Sequence, residues 1–332
     1  MIKKILLLAF ISLGIVIAAL LIALDHKVKQ PLNINAEKLV EIKPGTTVSS
    51  FSKQLVKKNW LENRFWLRNY VRLHRELAQL KAGVYLIKPG MTSLELVKKI
   101  VKGDEHQFSI TFIEGTSFKE WLSLLAEQAY LAQSLSNKSI KEIAAAIGIN
   151  EENPEGWLFP DTYAFTAYAS DLSILKRANV KMEQELDRHW QTRASGLPYS
   201  TPYQALIMAS IIEKESGQVA ELPLIASVFV NRLDKKMRLQ TDPTVIYGLG
   251  EGFDGDIKRS HLKEKTPYNT YRINGLPPTP IAMPGSTALK AALNPASSDY
   301  LYFVSKGNGY HEFSTNLADH NSAVARYQLR KK

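Results

Sequence analysis

The sequence of 332 residues contains no cysteine, and this absence excludes several kinds of chemistry at once. A thiol nucleophile, a thiolate zinc or iron–sulfur site, a lipid-modified N-terminal cysteine and a disulfide all require that residue. The seven histidines form no H-x-x-x-H or similar cluster, so the sequence predicts neither a metal site nor another cofactor. Generic disorder is also excluded, because 45% of the residues are hydrophobic and only 22% are charged.

Acidic residues are the minority among the charges. The 32 Asp and Glu face 42 Lys and Arg, which leaves a formal net charge of +10. A basic surplus of this size indicates an anionic partner, and nucleic acid, a membrane surface and an acidic polysaccharide all qualify. Composition alone does not choose among these three.

Long hydrophobic runs are absent except for one, at the N-terminus. Ile5–Leu24 is a run of 20 residues without a charge or a proline. At roughly 1.5 Å per residue, a helix of this length spans the ~30 Å hydrocarbon core of a bilayer. A cleaved signal peptide is the alternative, but its apolar core is usually about 7–15 residues long and ends at a small-x-small site. The run ends instead in large apolar residues before Asp25, so we predict an uncleaved anchor.

The charges beside the run predict its orientation. Lys3 and Lys4 precede it and favour a cytoplasmic N-terminus. We therefore predict a single-pass protein of the cytoplasmic (inner) membrane, with everything after the anchor on the extracytoplasmic, or periplasmic, side. Without Lys3 and Lys4 that part keeps a charge of +8, and nucleic acid is no longer a suitable partner. An acidic wall polymer or lipid headgroups fit better.

A strand–turn–helix pattern is repeated after the anchor. Ile42–Thr47 and Ile87–Thr92 each place Pro-Gly before a threonine and an apolar-periodic stretch, and Ile113–Ser117 is a looser third copy. Each copy predicts a short strand, a glycine turn, a Ser/Thr N-cap and an amphipathic helix. The pattern is similar to the LysM module, a small βααβ glycan-binding fold. A purely structural repeat is the alternative.

These features together predict an α+β protein of five segments. They are residues 1–4 in the cytoplasm, 5–24 as the transmembrane anchor, 25–35 as a polar linker, 36–110 as a LysM-like subdomain and 111–332 as a larger α+β catalytic domain. The aromatic stretch Glu155–Tyr163 within the last segment has two interpretations: a surface that stacks on sugar rings, or an aromatic plug under a loop.

A helix that ends in two acidic residues carries the chemistry. Thr201 and Pro202 predict its start, and Ala205–Ile212 is apolar apart from one serine. Glu215 continues the apolar stripe at the negative end of the helix dipole, so burial and the dipole should both raise its pKa. A carboxyl group protonated near neutrality is the general acid that glycosidic bond cleavage needs. The pattern favours Glu215 without excluding Glu213, and an ordinary polar helix end is the alternative.

The motifs around and after this helix closely resemble those of the YceG-like family, whose members are endolytic murein transglycosylases. They are Glu213–Ser216, Ser227–Leu233, Leu239–Gly248, Tyr268–Tyr271 and Gly275–Pro278. The resemblance implies that Glu215, the second glutamate of the E-K-E-[ST] segment, is the catalytic acid. It further implies a lytic cleavage between N-acetylmuramic acid and N-acetylglucosamine within nascent peptidoglycan strands. The products would carry 1,6-anhydromuramyl ends, and the enzyme would terminate strands beside peptidoglycan synthases at the membrane.

Polar and aromatic residues downstream are candidates for the glycan subsites, because amides bind hydroxyl and N-acetyl groups while rings stack on sugars. The predicted subsite residues are Gln240, Thr244, Tyr247, Tyr268, Asn269 and Asn316. A two-carboxylate hydrolase would instead need a second acid roughly 5–9.5 Å from the first, and Asp161, Asp242 and Glu213 are the candidates. A non-catalytic, membrane-anchored peptidoglycan-binding scaffold is the main alternative, and it would not need a buried acid.

Overall fold

The protein is described by a computed structural model, and the structure covers residues 2–329. Its class is mixed α/β, with helices predominating over short antiparallel strands. The chain divides into two units by internal packing. The first extends to Phe108 and also contains Ala164–Ala169, whereas the second comprises Ser109–Tyr163 and the chain from Ser170 onward.

The first helix, α1 (Ile2–Val28), is the one helix within residues 2–329 that is long and apolar enough to cross a membrane. Its side chains are exposed until the last two turns, where Leu24 and Val28 are buried. The segment 25–35 differs from the predicted polar linker, because α1 continues into it. Val28, Leu32 and Ile34 belong to the hydrophobic core of the first unit. These apolar side chains tie the segment to the unit, so α1 and the first unit are joined without a free linker.

The rest of the first unit consists of short strands and helices. Their bounds are β1 (Lys38–Ile42), α2 (Val48–Lys57), α3 (Phe65–Leu73), β2 (Gly83–Ile87) and α4 (Ser93–Lys102). Strands β1 and β2 pair antiparallel, with Val40 opposite Tyr85. The core is formed by the inward side chains of both strands and of the helices, among them Phe51 and Leu96.

The predicted turn–cap–helix pattern is confirmed in all three copies. Its glycines adopt positive φ angles, which are +78° at Gly45, +84° at Gly90 and +75° at Gly115. Each following helix is capped by a hydroxyl group, from Thr47, Thr92 and Ser117 respectively. A reciprocal capping box is present each time, so two of the free N–H groups at each helix start are satisfied.

The second unit is mainly helical. Strands β3 (Phe108–Thr111) and β4 (Thr162–Phe165), which pair with one another, belong to it through residues 109–111 and 162–163. Strand β5 (Tyr302–Ser305) pairs antiparallel with β6 (His311–Ser314). The helices are α5 (Phe118–Ala126), α6 (Ile140–Ile147), α7 (Asp171–Gln191), α8 (Pro202–Glu215), α9 (Leu222–Asp234), α10 (Asp242–Leu249), α11 (Ser286–Leu293) and α12 (Leu317–Val324).

Helix α8 is the centre of the second unit, packed against α7, α9, α10 and α11. Every residue from Ala205 to Ile212 is buried, as expected for a helix that is apolar on all sides. The polar member of this stretch, Ser210, accepts a hydrogen bond of 3.0 Å from the Ile281 N–H. Helix α8 ends at Glu215, and Ser216 after it is extended. A fully packed helix therefore fixes Glu215 in place.

The aromatic stretch Glu155–Tyr163 is largely internal. Phe159 and Tyr163 are buried, and the Tyr163 hydroxyl donates a hydrogen bond of 2.6 Å to the Phe159 carbonyl. Trp157 is partly buried and stacks on Tyr203, with 5.7 Å between ring centroids. These positions correspond to the interpretation as an aromatic plug.

Candidate active site

A cleft of about 540 Å³ lies at the C-terminal end of α8. Its walls come from the end of α8, from α9 and the loop into α10, from β5 and β6, and from α12. The polar and aromatic residues that line it include Glu215, Arg232, Gln240, Thr241, Asp242, Tyr271, Tyr302, His311 and His320. A volume of this size is within the range typical of small-molecule sites.

Glu215 is the carboxyl group at the base of this cleft. Burial raises its pKa to about 7, and the negative charge of Asp242 acts in the same direction. The Thr241 hydroxyl, which donates a hydrogen bond to Oε1, and the Arg232 guanidinium oppose this shift by favouring the ionised form. The increase expected from the sequence is therefore present. Near neutral pH, Glu215 is divided between its acid and its carboxylate.

Arg232 places a fixed positive charge beside Glu215. Its Nε donates a 2.6 Å hydrogen bond to the Leu301 carbonyl, and Nη1 donates one of 2.8 Å to the Leu239 carbonyl. The guanidinium also lies over the Tyr302 ring, 5.0 Å from its centroid. Because these contacts hold Arg232 in place, its charge steadily favours the ionised form of Glu215.

Asp242 is the second carboxylate of the cleft. It is the first residue of α10, and its Oδ1 accepts a 2.6 Å hydrogen bond from the Tyr271 hydroxyl. Burial raises the pKa of Tyr271, and the bond to Asp242 raises it further, so this hydroxyl remains a donor. The negative charge of Asp242 near Glu215 favours the protonated form of that acid.

The loop before α10 is fixed by hydroxyl groups beneath it. Thr241 N–H donates to Thr270 Oγ1 at 3.0 Å, and Thr244 Oγ1 donates to the Thr241 carbonyl at 2.8 Å. Gln240 adopts a positive φ of +53°, which is strained for a residue other than glycine. Its side-chain oxygen accepts a 3.3 Å hydrogen bond from Arg232. The strained turn brings Thr241 to Glu215 and Gln240 to the cleft wall.

The structure does not place all of the predicted subsite residues in the cleft. Gln240 lines the cleft with Glu215. Thr244 and Asn269 are fully buried. The Asn269 amide donates to the His261 and Glu264 carbonyls at 3.0 and 2.6 Å, so both side chains hold the surrounding loops.

Tyr247, Tyr268 and Asn316 are not among the residues that line the cleft. The Tyr247 hydroxyl donates to Glu155 at 3.3 Å, and the Tyr268 hydroxyl is 2.9 Å from Thr279 Oγ1. Asn316 caps α12 by accepting the Asp319 N–H. A contact of these three residues with glycan stays a prediction.

The other two candidates for a second carboxylate are not among the cleft-lining residues. Glu213 Oε2 accepts a 2.9 Å hydrogen bond from the Gly285 N–H, at the start of α11. Asp161 is paired with Lys181. The structure therefore leaves Asp242 as the acid that shares the cleft with Glu215.

A histidine–glutamate pair also borders the cleft. His311 Nδ1 is 2.9 Å from Glu221 Oε2, and the His311 N–H donates to Glu221 Oε1 at 3.0 Å. These two contacts with Glu221 fix the His311 ring in the cleft wall. Within residues 2–329, no three His, Asp or Glu side chains are grouped as metal ligands would be.

Sequence reasoning missed Arg232, Thr241, Tyr271 and Tyr302 as cleft residues. The sequence did contain a signal for Arg232, because a charged residue on the otherwise apolar face of α9 requires buried polar partners. The other three have no such signal. They reach the cleft only through the folding of the chain that follows α9.

Glu155 is a second carboxyl group with a strongly altered pKa. It is 3% exposed, and burial raises its pKa to about 7, although the Phe118 N–H donates to it at 3.0 Å. The folded protein therefore prefers the protonated form. This contribution to stability is complete below the ordinary pKa of 4.5 and is lost as the pH rises to about 7.

We expect Glu155→Gln to flatten the pH dependence of stability. Between pH 4.5 and 8, the free energy of unfolding should decrease by about 3 kcal/mol less in the variant than in the wild type. Denaturant titrations of the full chain in detergent at several pH values measure this difference. Exposed Glu183→Gln is the matched control and should retain the wild-type slope. Parallel slopes for wild type and Glu155→Gln would contradict the assignment.

A carboxyl group with a pKa near neutrality in an open polar cleft is typical of enzymes that protonate a leaving group. Comparison with known proteins gives the family. Residues 40–326 match the profile of the YceG-like family, and the chain belongs to that family.

Relatives with assigned names support the same grouping. The chain is 32% identical over 326 residues to the endolytic murein transglycosylase of Bacillus subtilis, covering 93% of this chain and 88% of the relative. It is 27% identical over 339 residues to the endolytic murein transglycosylase of Streptococcus pneumoniae, covering 90% of this chain but only 60% of that protein. A 2.6 Å crystal structure of a yceG-like protein from Listeria monocytogenes matches with a TM-score of 0.55 and 33% identity. That match covers 86% of this chain and 98% of the Listeria chain.

Proposed function

We propose that this protein is a membrane-anchored, endolytic lytic transglycosylase of peptidoglycan. It cleaves the bond between N-acetylmuramic acid and N-acetylglucosamine within nascent strands and leaves 1,6-anhydromuramyl ends. The observation that carries this proposal is Glu215, whose pKa is about 7 at the base of a polar cleft. The chain's membership of the YceG-like family and its murein transglycosylase relatives support it.

In the first step Glu215 acts as a general acid. Because Oε1 accepts the Thr241 hydroxyl, the acidic proton is carried by Oε2. This proton moves to the glycosidic oxygen, the bond from that oxygen to C1 of the muramyl residue breaks, and N-acetylglucosamine leaves with its 4-hydroxyl. The carboxylate that remains is stabilised by Arg232 and by the Thr241 hydrogen bond.

In the second step the same carboxylate acts as a general base. It takes the proton of the muramyl 6-hydroxyl while that oxygen forms a bond to C1, which closes the anhydro ring. Glu215 is protonated again and no water is consumed. One carboxyl group serves both steps because donation precedes acceptance, and a pKa near 7 suits both roles.

A hydrolase is the second candidate, and Asp242 is the observation in its favour. Asp242 shares the cleft with Glu215 and could activate a water molecule. However, one of its oxygens already accepts the Tyr271 hydroxyl. A hydrolase would produce reducing muramic acid ends instead of anhydro ends.

Product analysis tests the proposal. Full-length protein in detergent is incubated with uncross-linked peptidoglycan strands, and the ends of the products are identified by mass spectrometry. We expect anhydromuramyl ends, lighter than reducing ends by one water. Reducing ends would support the hydrolase, and binding without any cleavage would support the non-catalytic scaffold.

The first unit is proposed to bind glycan as a LysM-like module. The order β1–α2–α3–β2 in this unit agrees with a βααβ arrangement and supports the proposal. Helix α1 is proposed to anchor the protein in the cytoplasmic membrane, with its N-terminus in the cytoplasm and both units outside. In this position the enzyme would meet nascent strands beside the synthases that make them.

A further inference from the structure

Helix α3 has an exposed face that combines apolar side chains with arginines. Phe65 is 47% exposed and Leu73 is 60% exposed, although both are large and apolar. Eight residues apart, they lie on the same side of the helix, opposite the buried Leu67 and Val71. An exposed face of this kind on a soluble surface needs an explanation, because it is neither purely polar nor packed.

The charge on this face has one sign. Arg64, Arg68, Arg72 and Arg75 recur along the segment, and no Asp or Glu occurs between Asn63 and Arg75. Arg72 is exposed beside Leu73, whereas Arg68, four residues earlier, is partly exposed and has its Nε buried. Apolar side chains flanked by arginines on one helix face are typical of helices that lie in a membrane interface.

The position of α3 relative to α1 gives a reason for this composition. Helix α3 packs against α1, and the buried side chains of α1 within residues 2–28 are Leu24, at 5% exposed, and Val28. Contact with α3 is therefore made by the last two turns of α1. The exposed apolar part of α1 ends at Ile22. Helix α3 consequently lies level with the end of the membrane-spanning stretch, where lipid headgroups begin.

Side chains near the last turns of α1 are also typical of a position at the membrane surface. Lys27, Trp60 and Trp66 line a small cavity of about 150 Å³ beside the last turns of α1. The Lys58 ammonium group lies 4.5 Å from the centroid of the Trp60 ring. Tryptophan and lysine are both enriched where a membrane-spanning helix leaves the bilayer.

We propose that α3 is a second membrane contact, lying on the extracytoplasmic surface of an anionic bilayer. Phe65 and Leu73 enter the headgroup region, and the arginines bind lipid phosphates. The proposal rests on the anchoring function of α1. It adds that the first unit is held against the membrane in one orientation, because α1 continues into its core without a linker.

The absence of cysteine makes the test direct, since a single introduced cysteine is the only labelling site. Full-length Leu73→Cys, labelled with a fluorophore, is incorporated into nanodiscs of phosphatidylcholine with or without phosphatidylglycerol. Val180→Cys is the control, because Val180 is also exposed but lies on α7. We expect a lipid carrying a headgroup nitroxide to quench the Leu73 label, most strongly in anionic discs. Aqueous iodide should quench it several-fold less than the Val180 label.

Charge substitutions test the role of the arginines. In anionic discs, Arg68→Gln with Arg72→Gln should reduce nitroxide quenching of the Leu73 label to the level seen without phosphatidylglycerol. Lys43→Gln with Lys53→Gln removes the same charge from exposed positions of the same unit and should leave quenching unchanged. Circular dichroism verifies that all variants are folded.

The outcomes separate this proposal from the anchor on which it rests. If the protein enters the discs but iodide quenches both labels equally and the nitroxide quenches neither, α3 does not contact the membrane and α1 still anchors the chain. An equal loss of nitroxide quenching in the arginine and lysine double variants would also overturn the proposal, because membrane binding would then not depend on the arginines of α3. If the protein does not enter the discs at all, the anchor itself is refuted.

Discussion

We expect Glu215→Gln to reduce kcat about 10²- to 10⁴-fold, which is the usual contribution of a positioned general acid. Glutamine has nearly the same shape and can still accept the Thr241 hydroxyl, but it has no proton to donate to the glycosidic oxygen. The KM should change little, because the substitution removes an interaction of the transition state. Turnover of uncross-linked strands, followed by the appearance of new ends, measures both constants.

Glu213→Gln is the matched control for this variant. Glu213 is on the same turn of α8, and its substitution is chemically identical. Its carboxylate accepts the Gly285 N–H, a bond that a glutamine oxygen can retain. We expect kcat within a few-fold of the wild type. The account of Glu215 would fail if Glu215→Gln kept full turnover, or if Glu213→Gln lost as much.

The pH profile of kcat/KM should decline on the alkaline side near pH 7. In the proposed mechanism only the protonated form of Glu215 can donate in the first step, and its pKa in the free enzyme is about 7. Activity is therefore retained below that pKa and lost as the pH rises through it. A glutamate with its ordinary pKa of 4.5 would already be inactive as an acid at neutral pH.

Asp242→Asn should move this decline to lower pH. The charge of Asp242 raises the pKa of Glu215, so its removal favours the ionised carboxylate. Asparagine can still accept the Tyr271 hydroxyl, which keeps the loop in place. Asp161→Asn removes an equal charge that is paired with Lys181 and should leave the midpoint unchanged. A midpoint that stays in place, or moves to higher pH, in Asp242→Asn would contradict the electrostatic description of the site.

Many features of the fold and the site could be predicted from residues that are close together in the sequence. The capped helices after Gly45, Gly90 and Gly115 follow from residue types within a few positions of each other. The burial of α8 and the raised pKa of Glu215 follow from an apolar stretch that ends in an acid. These features depend on helical periodicity, which is visible without any tertiary contact.

The lining of the cleft depends on contacts distant in sequence and could not be predicted in this way. Thr241 reaches Glu215 across 26 positions, through a loop held by Thr270. Asn269 has the side chain of a glycan ligand, yet its amide is used by two backbone carbonyls. Residue type does not distinguish a side chain that binds a sugar from one that satisfies a buried loop.

The predicted linker illustrates the same limit. Residues 25–35 are polar in composition, but the apolar side chains of Val28, Leu32 and Ile34 find partners in the first unit. Three apolar residues in eleven give no periodic signal, and only the folded unit shows where they pack. As a consequence, α1 and the first unit form one continuous structure.

The central claim is that cleavage at Glu215 consumes no water, and isotope incorporation tests it most directly. Full-length protein digests uncross-linked peptidoglycan in water enriched in heavy oxygen, and the new muramyl ends are analysed by mass spectrometry. The account predicts anhydro ends without heavy oxygen, because the muramyl 6-hydroxyl supplies the oxygen that bonds to C1. Reducing muramyl ends that carry one heavy oxygen at C1 would contradict it and would establish hydrolysis.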